Sequence, residues 1–282
     1  MKKWILGISL IALTTCGLPG QSSKTERSEV IKKEIEIGNE GLLHIRNING
    51  GLNLEGYDGT KIILEVNKTI KAKSESQLEQ GWQEAELGVV QKGNAVLLYQ
   101  KTPCSNENLE LLDPGNWDDW NMMYKNNCNW KTGYDFKLDF KIKLPRGLNL
   151  DISTVNNGDI IVKNTAGTLD VNNVNGAITL EQVAGTSNVR TVNGDVTLTY
   201  VKMPAGDSKF YTLNGDINAV FPKGSSSNMY FESYNGDFYT DIDDASMEPL
   251  PLKVEKAKES KGVTYKVGGK AGIKVRNGGP KL

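Results

Sequence analysis

The sequence predicts an all-β fold, a parallel β-solenoid with about 18–21 residues per coil, on three observations. An Asn-Gly step recurs at a near-constant interval, at Asn157-Gly158, Asn175-Gly176, Asn193-Gly194, Asn214-Gly215 and Asn235-Gly236. Three positions after each asparagine stands an apolar side chain (Ile160, Ile178, Val196, Ile217, Phe238), and a second position on the same face follows two further on. The 282 residues include 30 glycines and few long helix-forming runs, and Gly and Asn accept the positive φ of tight turns at little cost. Residues two apart share one face of a strand. Each Asn-Gly turn is therefore expected to launch a short strand with apolar residues inward and polar residues outward. A second strand follows a glycine corner, as in Ala166 to Val171 (AGTLDV) and Ala184 to Val189 (AGTSNV). Stacked coil on coil, those columns make a continuous core. Periodicity alone leaves an antiparallel β-meander or sandwich with type I′ hairpins open. The solenoid is preferred because corner, apolar columns and second corner repeat together.

From the N-terminus, residues 1–16 read as a lipoprotein-type signal peptide. Lys2 and Lys3 precede an apolar run from Trp4 to Leu13, shorter than the roughly 20 apolar residues a bilayer-spanning helix needs. Leu13 to Cys16 resembles a bacterial lipobox, in which a leucine sits three places before a cysteine that is lipidated and becomes the new N-terminus; Thr15 departs from the usual Gly or Ala. Cys16 is thus the expected lipidation site, with membrane lipid as partner through its acyl chains. Residues 17–29 are polar, with Pro19, Gly20 and three serines, and read as a flexible tether. Residues 30–100 are expected to supply the N-terminal solenoid strands. Asn49-Gly50 opens an equivalent unit there, followed by Leu52 and Leu54, and precedes Asn157 by a whole multiple of the shorter coil length. Residues 101–133 form a Trp-rich insertion loop holding Cys104 and Cys128. An even pair in an exported protein is most simply a disulfide. Residues 134–282 hold the repeated coils, and Asn277-Gly278 fits one more double step of the longer coil.

The phrases NINGGLNLEGYDG (Asn47 to Gly59), KIKLPRGLNLDISTVNNGDIIV (Lys141 to Val162), TVNGDVTL (Thr191 to Leu198) and TLNGDI (Thr212 to Ile217) carry a resemblance. With them the chain is similar to a bacterial adhesin-like domain family of unknown function, mostly exported or membrane-anchored, whose β-solenoid body repeats V-N-G-D-I/V steps. The likeness spans roughly residues 35 to 280 outside the insertion. It implies a fold and an envelope location and attaches no activity. Asn156-Asn157-Gly158 carries one Asn more than the family step, which implies a bulged corner.

The charge is balanced, 33 basic against 34 acidic residues, which argues against a nucleic-acid partner. His44 is the single histidine and no close cysteine pair occurs, so neither a zinc site nor a histidine-serine pair is expected, and no cofactor is implied. Asp241, Asp243 and Asp244 match no calcium-loop spacing and read as a solvated loop. Two constellations merit weighing. Trp117, Trp120 and Trp130, beside Asp113, Asp118 and Asp119, offer amphipathic area for a glycan or protein ligand; alternatively they form the loop's own small core. The column Asp159, Asp195, Asp216 and Asp237 places one carboxylate per coil, broken at Ala177. Paired carboxylates suit glycosidic cleavage, but aspartate beside an Asn-Gly corner ordinarily satisfies turn amides. The expected function is that of a non-enzymatic, adhesin-like lipoprotein of the cell envelope, membrane-anchored with the outer membrane as expected site, binding ligand through its solenoid faces and Trp-rich loop. A periplasm-facing structural or regulatory scaffold is the alternative, and a polysaccharide hydrolase a distant third.

Overall fold

The computed structural model describes residues 24–38, 40–125, 128, 133–233, 235–250, 254–259, 262–267 and 271–282. The signal peptide with Cys16, most of the expected tether, and Trp130 lie outside the described residues. The N-terminal half runs β1 (Thr25–Glu36), β2 (Leu42–Arg46), β3 (Leu52–Tyr57), β4 (Lys61–Ala72), α1 (Glu75–Glu84), β5 (Glu86–Lys92) and β6 (Ala95–Lys101). A loop carrying the short helix α2 (Trp120–Met123) leads to β7 (Tyr134–Pro145) and β8 (Asn149–Thr154). Short strands then alternate as β9 (Ile160–Lys163), β10 (Leu169–Asn173), β11 (Ile178–Val183), β12 (Ser187–Asn193), β13 (Val196–Tyr200), β14 (Lys209–Asn214) and β15 (Ile217–Val220). The chain ends with β16 (Ser227–Phe231), β17 (Met247–Pro249), β18 (Val254–Glu259), β19 (Gly262–Val267) and β20 (Ala271–Val275).

Two sheets carry the body: an eight-stranded one in the order β1-β4-β7-β3-β9-β11-β13-β15 and a seven-stranded one in the order β14-β12-β10-β8-β2-β6-β5. The fold is all-β and solenoid-like, because alternate units of the chain feed one sheet and then the other. In the first sheet Leu52, Ile160, Ile178, Val196 and Ile217 pair in one parallel column. In the second, Ile45, Ile152, Val171, Val189 and Phe210 do the same. Both columns point between the sheets and, up to Val196 and Val189, are fully buried. Each strand thus contributes its alternate residues to one continuous core. Among the described residues no helix is long and apolar enough to cross a membrane.

The T-V-N-G-D step has a physical account letter by letter. The hydroxyls of Thr191 and Thr212 donate to the carbonyls of Gly176 and Gly194 on the preceding rung, at 2.9 and 2.8 Å. The asparagine amides form a ladder, Asn214 Nδ2 donating to Asn193 Oδ1 and Asn193 Nδ2 to Asn175 Oδ1, both at 2.8 Å. The glycine lets the corner press on the one before: a Cβ on Gly194, whose φ is +152°, would stand 2.3 Å from Gly176 O. The aspartate carboxylates close the step by accepting amides from the next rung, Asp159 from Ala177 N–H at 2.8 Å and Asp195 from Asp216 N–H at 2.9 Å.

Several expectations are corrected. At the doubled asparagine the ladder is shared: Asn156 bridges Asn49 through the backbone and accepts the Asn175 amide, while Asn157 Nδ2 donates to Asn49 Oδ1 at 3.3 Å. Asn157 is the bulge, at φ +61°. Residues 30–100, expected as solenoid strands, do not form successive coils, since Leu52 pairs directly with Ile160 on the adjacent rung. What intervenes includes antiparallel structure: β4 pairs with both β1 and β7, and β5 pairs with β6 across a tight turn at Gly93-Asn94, with Gly93 at φ +58°. A two-residue connection permits nothing but an antiparallel pair. Residues 25–29, expected in the tether, are the start of β1. Asn235-Gly236 opens no rung: the parallel column ends at β15, and Phe238 and Tyr239 are exposed. The second inward position, apolar as Val162, Leu180 and Leu198, falls to Ala219 and then Thr240, so another rung would bury too little. Asn277-Gly278 instead turns the chain after β20, which pairs antiparallel with β16.

Candidate functional site

The insertion folds onto the outer face of the seven-stranded sheet. Its own sequence builds it: Ser105 Oγ accepts from Thr102 N–H at 2.9 Å, Asp119 caps α2 through Asn121 N–H at 2.8 Å, and Cys104 and Cys128 form a disulfide. Trp117, Leu109 and Met123 are buried against Val90, Ala95, Leu97 and Tyr99 of β5 and β6. Trp117 donates its indole N–H to Leu109 O at 3.3 Å and meets the His44 ring edge-on at 5.4 Å. It packs inward, as a core residue of the loop. Tyr124 donates to Gln100 O at 2.9 Å, and burial pushes its phenol well up.

Closing a loop of this length, with cysteines 24 residues apart, is worth about 3 kcal/mol on the chain-entropy model. The Cys104→Ala, Cys128→Ala protein is therefore expected to lose about that much in urea denaturation, with Trp emission shifting red before the far-ultraviolet signal falls. Unchanged stability would mean that the packing of Trp117 alone holds the loop.

Past Trp117 the loop stops covering the sheet, and a cleft of about 280 Å³ opens between Trp120 and Asp118 on one side and the strand face on the other. Its floor is Arg46, 2 % exposed. Arg46 Nη2 donates to Asp151 Oδ2 at 2.6 Å, Nη1 to Asp151 O at 2.8 Å, and Nε has no partner among the described residues. Asp151 Oδ2 also lies 2.9 Å from His44 Nδ1. Burial alone raises the Asp151 carboxyl, but the hydrogen bonds from His44 and Arg46 and the charge of Arg46 outweigh it and hold it below its ordinary range. One rung on, Asp170 accepts from Asn172 at 2.6 Å and from Asn188 at 2.9 Å. Trp120 is half-buried and stacked on Tyr124, with centroids 5.6 Å apart and planes at 17°.

This cleft is made by residues the repeat analysis passed over. Its strand residues stand at the outward positions five and three places before the ladder asparagines: Arg46, Asp151 and Ser153, Asp170 and Asn172, Asn188 and Arg190, with His44, the matching position beside Arg46, covered by Trp117. Following the outward register as closely as the inward one reveals them. Of the sequence candidates, Trp120 lines the cleft and Trp117 does not, while Asp113 lies away from it, paired to Lys92 at 3.0 Å. The aspartate column is not gathered there either. Asp159 and Asp195 are held on backbone amides, and Asp216 and Asp237 are exposed outside the cleft. Among the described residues no cluster of His, Cys, Asp or Glu is arranged to hold a metal.

The Toastrack DUF4097 model matches residues 100–276, which takes in the insertion and every rung after it. The chain belongs to the Toastrack family. This is an adhesin-like domain of unknown function, in keeping with the V-N-G-D-I/V resemblance. No curated protein matches the sequence. Three solved structures align with the Toastrack chain at low scores. A provisionally named cell adhesion protein from Clostridium sporogenes ATCC 15579 is 13 % identical, over 70 % of this chain and 96 % of its own, with a TM-score of 0.27. A provisionally named lipid binding protein from Parabacteroides distasonis ATCC 8503 is 13 % identical over 67 % and 78 %, with a TM-score of 0.24. A provisionally named adhesin from the same organism is 8 % identical over 68 % and 97 %, with a TM-score of 0.19. The Toastrack match begins at the last residues of β6, so β1 to β5 and α1 precede it.

Proposed function

We propose that this chain is an exported lipoprotein of the cell envelope, anchored through acylated Cys16, whose solenoid body of about 18–21 residues per coil binds a surface ligand without chemistry. The ligand site is the cleft at the edge of the tryptophan loop. The observation that carries this is Arg46, a buried guanidinium locked to Asp151 yet lining an open cleft beside an aromatic wall. A buried ion pair is poor value as a stabilising device compared with apolar packing, and fixed polar groups beside an exposed aromatic are what recognition sites use. Asp159 and Asp195 support the non-enzymatic reading, because carboxylates engaged with backbone amides are poorly placed to exchange protons with a substrate.

Eight residues separate Cys16 from Thr25, where β1 begins. Fully extended they reach about 30 Å, so an anchored body stays close to the bilayer. That shortness favours the second reading, a periplasm-facing scaffold or regulator. Protease shaving of intact cells beside a periplasmic control separates the two. Digestion of the body while the control survives is the expected result, and protection until lysis would replace surface binding by the inward-facing role. In the same strain Cys16→Ser is expected to move the protein out of the membrane fraction; retention there would remove the lipid anchor.

A further inference from the structure

The outer face of the seven-stranded sheet carries polar side chains in register from rung to rung. Asp151, Asp170 and Asn188 align in one column, and Arg46, Ser153, Asn172 and Arg190 in the next. Successive rungs stand about 4.8 Å apart. The loop covers the start of this face, with Trp117 against His44, and stops where Trp120 and Asp118 look across at the two columns. We propose that this cleft binds neutral pyranose units of a polysaccharide, laid along the rungs from the loop edge toward Arg190. The proposal rests on the cleft being the ligand site.

The chemistry of the lining selects this class. Its charged groups are Arg46, Arg190, Asp118, Asp151 and Asp170, so acids outnumber bases and a polyanion is disfavoured. The carboxylates are already oriented, Asp151 by Arg46 and His44, Asp170 by two asparagine amides. They therefore present acceptors at fixed places, as hydroxyl donors require, with no need of a cation to neutralise them. Arg46 Nε is a buried donor and Asn188 Oδ1 a buried acceptor, both without a partner among the described residues. A sugar hydroxyl is donor and acceptor at once and complements such a mixed set, whereas an apolar ligand complements neither. Trp120, its plane fixed by stacking on Tyr124, supplies the apolar wall for the C–H face of a ring. Polar contacts on successive rungs let a polymer engage several units at once, so modest single-unit affinity is amplified along the chain.

The test uses the full mature chain and isothermal titration with hexasaccharides of neutral β-glucan, chitin and mannan, and with oligogalacturonate as the acidic control, each at about 1 mM. At least one neutral hexamer is expected to bind, and the acidic oligomer at least tenfold more weakly. Trp120→Ala and Asp170→Asn are each expected to weaken binding about tenfold. Asp170→Asn, on a half-exposed strand face, keeps the test valid if Trp120→Ala fails to fold. Silence from all three neutral hexamers overturns the proposal, as does preference for the acidic oligomer. If the intact protein still retains cells or protein partners on a surface, and Trp120→Ala abolishes that retention, the cleft stands as a ligand site and only its ligand class is wrong. Loss of both removes the ligand-site reading as well.

Discussion

Gly185→Ala is expected to lower stability by about 3 kcal/mol or more, although it adds one methyl group at a turn. Gly185 sits at the second corner, where A-G-T repeats, and a Cβ there would stand 1.7 Å from Gly167 O and 3.0 Å from Ala166 O. Gly167 is similarly pressed on the rung before it, with Leu148 O 2.2 Å from its missing Cβ. The obstacle in each case is backbone, so no side chain can rotate away. Relief requires the rungs to part, and they are bonded on both flanks of the contact: Ala184 N–H to Thr165 O and Leu169 N–H to Thr186 O, both at 2.9 Å. Separation also opens the buried column of Val171 and Val189 beneath. Urea denaturation followed by circular dichroism checks this against Gly115→Ala, whose Cβ meets nothing within 4 Å among the described residues and which is expected to change stability by about 0.5 kcal/mol at most. Equal midpoints for the two variants would show that the corners are looser than their geometry.

The same corner shows what a sequence can and cannot disclose. Asn-Gly and the inward apolar positions repeat at fixed offsets, so the two-sided core from Leu52 to Leu198 is visible as periodicity. Register at Asn156-Asn157 is not, because either asparagine satisfies the spacing. The two divide the work: Asn156 accepts the Asn175 amide from the next rung, and Asn157, at φ +61°, turns its own amide back to Asn49. Nor does arithmetic reveal the insertion between β3 and β9, since the interval from Asn49 to Asn157 divides evenly by the coil length whether the chain fills it with coils or leaves the solenoid and returns. The end of the array is hidden for a different reason. Asn235-Gly236-Asp237 repeats the turn chemistry, yet the strand beyond it lacks the second apolar residue that burial requires. The cleft combines the outward register with a loop whose fold depends on long-range packing, Trp117 against His44. Its strand half is legible in the pattern, and its loop half is not.

Arg46→Ala is expected to cost about 3–5 kcal/mol, the range for removing one partner of a buried ion pair, and to do so with a pH signature. Without Arg46, the Asp151 carboxylate keeps the His44 hydrogen bond as its one side-chain contact among the described residues, in a site where burial already works against its charge. Asp151→Asn, which removes the charge and keeps an acceptor for Arg46, is expected to cost less and to leave Arg46 the uncompensated member. The sign of the pH dependence follows from the direction of the shift. A carboxyl held below its unfolded value, near 4, contributes stability that is fully present above that value and is lost as pH falls through the lower folded one. In the native protein this contribution therefore fades below about pH 4. In both variants that part of the acid limb is expected to flatten, and the Arg46→Ala deficit to shrink as pH is lowered. Urea midpoints measured from neutral pH to pH 3 decide it: a deficit constant across the range would mean that Arg46 acts through packing of its stem, not through Asp151. Because the carboxylate that anchors Arg46 also presents acceptors to the cleft, the ligand and the fold draw on one charge, and saccharide binding is expected to weaken over the same acid window.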